Sequence, residues 1–180
     1  MANEKLLRAN VTILAAYPEA FADPANPTAA ELNDQFVYTS NEDAMVFNIS
    51  CAITDDYTLN AADSDTDDEL SICDIGNSST PTFYNYDAEL DGFRDKSTTD
   101  NGVFNLFWRL FRGVDRPFIL IKRIGKAQNA TFLTDGTDVV SMYHVTTDLP
   151  VDVVEDNSNV KLGARFKTTG TLVTNKSITA

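Results

Sequence analysis

Carboxylates dominate the side chains of this chain that could do chemistry, and one group of them has the spacing of a metal-binding loop. Asp63, Asp65 and Asp67 alternate along an acidic stretch that continues to Asp68 and Asp74. Counted from Asp63, positions 1, 3, 5 and 12 match the ligand spacing of a calcium loop. Position 6 is Asp68 where such a loop needs glycine, and position 12 is aspartate where it needs glutamate. A calcium site over residues 63–74 is therefore one hypothesis, and a solvated acidic loop is the other.

A second group of carboxylates follows a predicted strand at residues 82–93, where polar and apolar residues alternate. The polar face carries a row of candidate site residues: Asn85, Asp87, Glu89 and Asp91. The opposite face is apolar: Tyr84, Tyr86, Ala88 and Leu90. This period of two indicates one face on a core and one face in water. Like charges spaced in this way repel each other, so the row does not help the strand to fold.

The residue combinations of common enzymes are missing from the sequence. It has no nucleophile elbow, P-loop, H-E-x-x-H, C-x-x-C or G-x-G-x-x-G. His144 is the single histidine, and its place on an apolar strand face predicts a partly buried structural role. The acidic residues lie in loops and rows, not in apolar pockets that would shift a pKa. We therefore predict no catalytic residue, no metal and no cofactor; a hydrolase that uses carboxylates alone is the weakest hypothesis.

Charge is distributed unevenly along the 180 residues, whose formal net charge is −13. Residues 9–93 contain no Lys or Arg but hold 17 Asp and Glu. This balance argues against gripping nucleic acid, which needs a basic surface.

The sequence has neither the apolar region of a signal peptide nor a membrane-spanning run, so we expect no membrane partner. Cys51 and Cys73 are then expected to be reduced thiols.

The elements that position these residues are mostly short strands, which predicts a mainly β single domain over residues 1–180. An N-terminal arm covers about residues 1–43, with a strand near residues 11–14. A short helix near residues 29–34 follows the capping-box pair Thr28 and Glu31. A strand at residues 45–53 has Met45 and Cys51 among its inward side chains. Residues 54–69 read as a long mobile acidic loop with a brief strand at residues 57–60, and a short strand follows at residues 70–75.

One substantial helix is predicted at residues 103–112, with Thr98, Thr99 or Asp100 as its N-cap. Apolar residues cover most of it, and a narrow polar stripe remains: Asn105, Arg109, Arg112 and later Arg116. Strands are predicted again at residues 118–124, 139–145, 151–154, 160–168 and 172–178. In the fourth of these, a basic row of Lys161, Arg165 and Lys167 faces away from the apolar residues. Many short strands and one packed helix indicate two packed antiparallel sheets, as a sandwich or small barrel, with the helix on its flank.

Several segments together resemble the major tail tube proteins of long-tailed, siphovirus-type bacteriophages, particularly those of actinobacteria. The resemblance spans nearly the whole chain and is carried by PTAAELN at 27–33, ICDIG at 72–76, TPTFYNYDAELDGFRD at 80–95, KRIGKA at 122–127, PVDVVED at 150–156 and GARFK at 163–167. It implies a structural virion protein whose six-subunit rings stack into a tube. Through this tube double-stranded DNA passes during ejection without specific binding. It also implies no enzymatic activity and two packed sheets with one flanking helix.

The resemblance further implies roles for the candidate residues. Inner strands of the subunits join into a barrel with an electronegative bore, so Asn85, Asp87, Glu89 and Asp91 become candidate lumen residues. The acidic loop becomes a candidate contact between subunits through Asp55, Asp56, Asp63, Asp65, Asp67 and Asp68. Lys161, Arg165 and Lys167 become a candidate basic face between subunits. The expected partners are further copies, the tape-measure protein and the tail terminator and tip proteins, in a tail assembled in the host cytoplasm. The immunoglobulin-like domain that follows the core in some relatives is expected to be absent.

The alternative function is a calcium-dependent β-rich binding or adhesion module, which depends on residues 63–74 alone.

Overall fold

The computed structural model of the protein describes residues 10–37, 41–67, 80–156, 158–169 and 172–178. Within these ranges antiparallel strands dominate, which confirms the mainly β prediction. The strands are β1 Val11–Ala16, β2 Val46–Asn48, β3 Thr58–Ala61, β4 Asp65–Asp67, β5 Thr80–Phe83, β6 Tyr86–Phe93, β7 Pro117–Ile124, β8 Val139–Thr147, β9 Val151–Val153, β10 Lys161–Thr168 and β11 Val173–Ser177. The helices are α1 Ala29–Asn33 and α2 Val103–Phe111, and a single 3₁₀ turn covers Pro18–Ala20.

Nine of these strands form one sheet in the order β2-β1-β7-β8-β10-β6-β3, with β11 beside β8 and β9 beside β10. β10 joins its two halves, because residues 161–165 pair with β6 whereas residues 166–168 pair with β8. The first half-sheet comprises β2, β1, β7, β8 and β11, and the second comprises β9, β6 and β3; β10 belongs to both. The two packed sheets expected from the sequence are thus halves of one continuous sheet. β4 and β5 pair separately.

Two apolar clusters lie on opposite faces of the first half-sheet. Consecutive residues of β1 alternate between them, with Ile13 and Ala15 in one cluster and Leu14 and Ala16 in the other. The first cluster fills the space between the half-sheets and α2, and the second is covered by α1, Phe21 and Phe132. The second half-sheet buries one face only, which leaves the polar side of β6 exposed.

The strand predicted at residues 45–53 is wrong in length and in the direction of two side chains. Only β2 forms, and Met45 and Cys51 are exposed instead of buried. Val46 and Phe47 are both buried, because the half-sheet has an apolar layer on each face. Asn48 ends the strand, since its Oδ1 accepts hydrogen bonds from the Ser50 amide at 3.2 Å and hydroxyl at 2.8 Å.

The strand predicted at residues 82–93 is interrupted. β5 pairs with β4, and β6 pairs with β3 and β10, while Tyr84 and Asn85 lie between β5 and β6 and belong to neither strand. Tyr84, expected on the buried face, is 74% exposed. In the predicted acidic loop at residues 54–69, β3 corresponds to the brief strand expected at residues 57–60, and β4 is a strand that was not expected. The strand expected at residues 70–75 and Cys73 lie outside the described residues.

Both predicted helices are present, but only the first is capped as expected. At α1 the Thr28 hydroxyl accepts a hydrogen bond from the Glu31 amide, and the Glu31 carboxylate accepts one from the Thr28 amide, which confirms the capping box. The N-cap of α2 is Gly102 and makes no side-chain bond, so the prediction of Thr98, Thr99 or Asp100 is wrong. Asn105 does not belong to an exposed stripe either. It is buried, and its amide donates to the carbonyls of Ser97 and Asp100.

The remaining strand predictions at residues 11–14, 118–124, 139–145, 151–154, 160–168 and 172–178 correspond to β1, β7, β8, β9, β10 and β11. His144 is half-buried on the face of β8 that carries Val140 and Met142, as expected. Burial lowers its pKa below the usual value, so it is neutral at pH 7.

Candidate functional site

The acidic row of β6 and the basic row of β10 lie on the same face of the sheet. Tyr86, Ala88 and Leu90 are buried, so the alternating residues of β6 point to solvent, as predicted. In the antiparallel register Arg165 lies opposite Glu89, and Gly163 lies opposite Asp91. Directly opposed residues project from the same side of a sheet. We call this surface the β6–β10 face; it carries Asp87, Glu89, Asp91, Lys161, Arg165 and Lys167.

Two cations of the β6–β10 face already have carboxylate partners. Arg165 Nη1 lies 2.9 Å from Asp91 Oδ1, and its Nε lies 3.8 Å from Glu89 Oε1. Gly163 leaves room for this contact, because a Cβ there would come within 3.0 Å of the Asp91 carboxylate. Lys167 Nζ lies 2.8 Å from Asp148 Oδ2, and this hydrogen bond lowers the pKa of Asp148 and raises that of Lys167. The face therefore has alternating charges and is not uniformly acidic.

Asn85, the first member of the predicted acidic row, has a different role. Its amide Nδ2 donates to the Asp63 carbonyl and to Asp65 Oδ1, both at 3.1 Å. It thereby fixes residues 62–67, which we call the acidic tip, at the start of β6. The carboxylates of Asp63 and Asp65 are exposed on the tip, and Asp55 and Asp56 are exposed before β3. Of Asp67 only the backbone is described, and Asp68 lies outside the described residues.

The calcium hypothesis finds no support in the described part of the chain. No three acidic, histidine or cysteine side chains of the described residues converge as metal ligands. The Asp65 carboxylate accepts the Asn85 amide. Asp68 and Asp74, positions 6 and 12 of the hypothetical loop, lie outside the described residues.

A buried ion pair that the sequence reasoning missed holds the connection between β7 and β8. Arg123 and Asp138 are 1% and 2% exposed, and Arg123 Nη1 lies 3.4 Å from Asp138 Oδ1. Arg123 also donates to the carbonyls of Ala127 and Ala130 and to the Thr12 hydroxyl. Burial lowers the pKa of Arg123, and the Asp138 charge acts in the opposite direction. Asp138 is the only buried carboxylate among the described residues and is held by two cations, which gives no support to the hydrolase hypothesis.

An exposed apolar edge was also missed. β9 pairs with β10 on one side and lies at the edge of the second half-sheet. Large apolar side chains surround it at high exposure: Leu149 70%, Val151 50%, Val154 73% and Val160 44%. An apolar edge strand is a template for pairing with another chain. The valine-rich segment at residues 151–154 was predicted as a strand, but its edge position depends on pairings that periodicity does not give.

A third surface lies where β6 leads toward α2. The half-buried Trp108 ring is contacted by two guanidinium groups, with Arg94 Cζ 4.7 Å and Arg112 Cζ 4.5 Å from the ring centroid. Arg109, on the next position of the helix, is exposed. We call Arg94, Trp108, Arg109 and Arg112 the arginine face.

In the part of the chain that the structure describes, no helix is long and apolar enough to cross a membrane.

Comparison with protein-family models identifies a family for the whole chain. The family model described as phage tail tube protein matches residues 1–180. No curated protein matches the chain.

Proposed function

Because this chain belongs to the phage tail tube protein family and is thus a structural protein of the virion tail, we propose that it forms six-membered rings. These rings stack into the tube through which double-stranded DNA leaves the particle. The number six and the passage of DNA come from the resemblance to the tail tubes of siphovirus-type phages. The proposal extends to assembly in the host cytoplasm, to a tape-measure protein inside the growing tube, and to terminator and tip proteins at its ends.

The observation that carries the proposal is the apolar edge around β9. Its exposed side chains include Val151, on a strand that has one partner only among the described residues, and Val154 directly after that strand. A monomer with such an edge exposes both apolar surface and unpaired backbone groups, and a neighbouring subunit can cover both. A ring gives every copy the same neighbour and leaves no edge uncovered.

For the bore we propose the β6–β10 face, including the candidate lumen residues Asn85, Asp87, Glu89 and Asp91. Phosphates gain nothing from approaching carboxylates, and only unpaired cations would retain them. Two of the three cations on this face, Arg165 and Lys167, are occupied by Asp91 and Asp148, which supports passage with few contacts to phosphate. The same pairing gives less support to Lys161, Arg165 and Lys167 as a basic contact between subunits.

Electron microscopy of the purified protein tests the proposal. We expect tubes with sixfold rings from the natural sequence, and no tubes from Val151→Lys, because a lysine on an edge strand opposes pairing. Val37→Lys is the matched control, since Val37 is 53% exposed and Val151 is 50% exposed; this variant is expected to form tubes. A natural sequence that stays monomeric, or tubes from Val151→Lys, would contradict the proposal. A reconstruction with the β6–β10 face on the outside would overturn the bore assignment alone.

A further inference from the structure

The arginine face is a rigid cationic surface on an acidic protein. Trp108 holds the guanidinium groups of Arg94 and Arg112 against its ring, and Arg109 Nη1 lies 3.4 Å from Asn101 Oδ1. Arginines stacked on an aromatic ring have lost much of their freedom before any partner arrives. Their planar donor groups match carboxylates, which they bind through two parallel hydrogen bonds.

Little within the subunit neutralises this surface. Among the described residues, the only carboxylate at ion-pair distance from the three guanidiniums is Asp152, 4.0 Å from Arg94 Nη1 and itself 70% exposed. Arg123, Lys126, Arg165 and Lys167 are all paired within the chain. Arg109 and Arg112 are exposed and have no carboxylate at ion-pair distance among the described residues, so both are open to an external carboxylate.

The acidic tip lies at the opposite end of β6 from the arginine face. Asn85, which binds Asp63 and Asp65, directly precedes β6, and Arg94 directly follows it. Eight residues of strand separate these ends by about 25 Å, which is beyond the reach of a side chain. The tip of one subunit therefore cannot reach its own arginine face, but it can reach the face of a subunit placed next along the strand.

We propose that the arginine face binds the acidic tip, residues 62–67, of a second copy of this chain, with Asp63 and Asp65 as the carboxylates that Arg109 and Arg112 recognise. The inference rests on the proposed tube function and assigns the contact between successive rings. Two different surfaces meet in this contact, so it is head-to-tail, and when it is repeated along the tube axis, where it does not close into a ring, it builds a filament. Duplex DNA fits less well, because gripping it needs a larger basic footprint than three arginines on a chain of net charge −13.

Reversing the charge of each surface in turn tests the contact. Tube formation is measured by sedimentation and microscopy. Arg109→Glu/Arg112→Glu places negative charge opposite negative charge, and Asp63→Lys/Asp65→Lys places positive opposite positive. Each is expected to raise the protein concentration needed for tubes by at least about tenfold. A 1:1 mixture of the two variants restores complementary pairs at every contact and is expected to form tubes. Thermal melting of each variant establishes that the subunit is folded.

A matched control separates this contact from general repulsion. Lys161→Glu/Lys167→Glu changes the net charge as much as the arginine variant does. It is expected to raise the protein concentration needed for tubes by less than the arginine variant does. Asp63→Lys/Asp65→Lys lowers the net negative charge, so general repulsion alone predicts better assembly, whereas the proposed contact predicts a loss.

Four results would overturn the inference while leaving the tube function intact. They are normal tubes from the arginine variant, improved tubes from the aspartate variant, a mixture that fails to assemble, and duplex DNA retained by the natural sequence but not by the arginine variant. A natural sequence that never assembles would overturn the tube function and this inference together.

Discussion

At the scale of single residues, Arg123 has the largest side chain among the fully buried described residues. Its guanidinium lies 4.0 Å from the centroid of the Phe132 ring and donates to backbone carbonyls of the loop that joins β7 to β8. Asp138 supplies the opposing charge and also accepts from the Leu133 amide at 2.8 Å. One arginine thus binds two carbonyls of this loop and holds the loop against β7.

Replacing Arg123 with methionine should lower the free energy of unfolding by about 3–5 kcal/mol, because it leaves Asp138 buried with part of its compensation removed. Chemical denaturation measures the change. Arg109→Met on the exposed side of α2 is the control and should stay within about 0.5 kcal/mol of the natural sequence. In an Asp138→Asn background the cost of Arg123→Met should fall; an unchanged cost would mean that the charge pair is not what holds the loop.

The sequence alone could not predict this pair. Arg123 lies near the end of an apolar strand, and its residue type alone suggests a surface position, because arginine is rarely buried unless it is paired. Its burial depends on Thr12, on loop carbonyls and on a carboxylate 15 residues away, which meet only in the folded chain.

At the scale of elements, the packing of α2 on β6 depends on one close approach. A Cβ added at Gly92 would lie 2.4 Å from the ring of Phe107, which is fully buried. Phe107 in turn packs edge-to-face on Phe111, with ring centroids 4.9 Å apart. Glycine at this position therefore sets how near the helix can lie to the strand that carries the β6–β10 face.

Gly92→Ala should destabilise the subunit by about 1–3 kcal/mol, because the helix must move away or Phe107 must leave its rotamer. Thermal or chemical unfolding of a double-mutant cycle with Phe107→Leu is expected to show coupling, since the smaller side chain relieves the clash. Phe132→Leu, in the apolar cluster on the opposite face of the first half-sheet, is the control partner and should combine with Gly92→Ala additively, within about 0.5 kcal/mol. Equal coupling with both would contradict a local clash.

Periodicity was sufficient for some elements, but it failed where the limits of an element depend on tertiary contacts, as at residues 45–53. The alternation in β6 and β10 and the apolar circumference of α2 were sufficient to place these elements. The N-cap of α2 could not be predicted from the sequence. Asn105 within the helix binds the preceding loop, and local cap preferences do not describe this role. The break at Tyr84 could not be predicted either, since it lies between the pairing of β5 with β4 and the pairing of β6 with β3.

The candidate site shows the same limit. Alternation identified which residues of β6 and which of β10 share a face. It could not show that β6 and β10 are neighbours in register, which places the acidic and basic rows on one surface. The arginine face was hidden for a related reason, because Arg94 and Trp108 come from separate elements.

At the scale of the whole molecule, every subunit carries a net charge of −13, so long-range repulsion opposes association of the proposed rings. The apolar edge at β9 and the proposed contact of the arginine face act only at short range. Salt reduces the distance over which these charges repel each other, from about 30 Å at 0.01 M to about 8 Å at 0.15 M.

We therefore predict that the protein is mostly monomeric at 0.01 M salt and assembles at about 0.15 M, with sedimentation velocity as the measurement. The charge-lowering control Glu42→Lys/Asp43→Lys, at exposed positions before β2, should shift the onset of assembly to lower salt. A size distribution that is identical at both salt concentrations would contradict a balance set by net charge.

The continuity of the sheet through β10 has a mechanical consequence. The hydrogen bonds of residues 161–165 and of residues 166–168 belong to the same strand, so one half-sheet can tilt against the other only if β10 bends and the apolar cluster between the halves is sheared. The subunit therefore resists a change in the angle between its halves. In a tail built as proposed, the curvature of a bending tube must be taken up at the joints between subunits, and the stiffness of the tail is set by those joints.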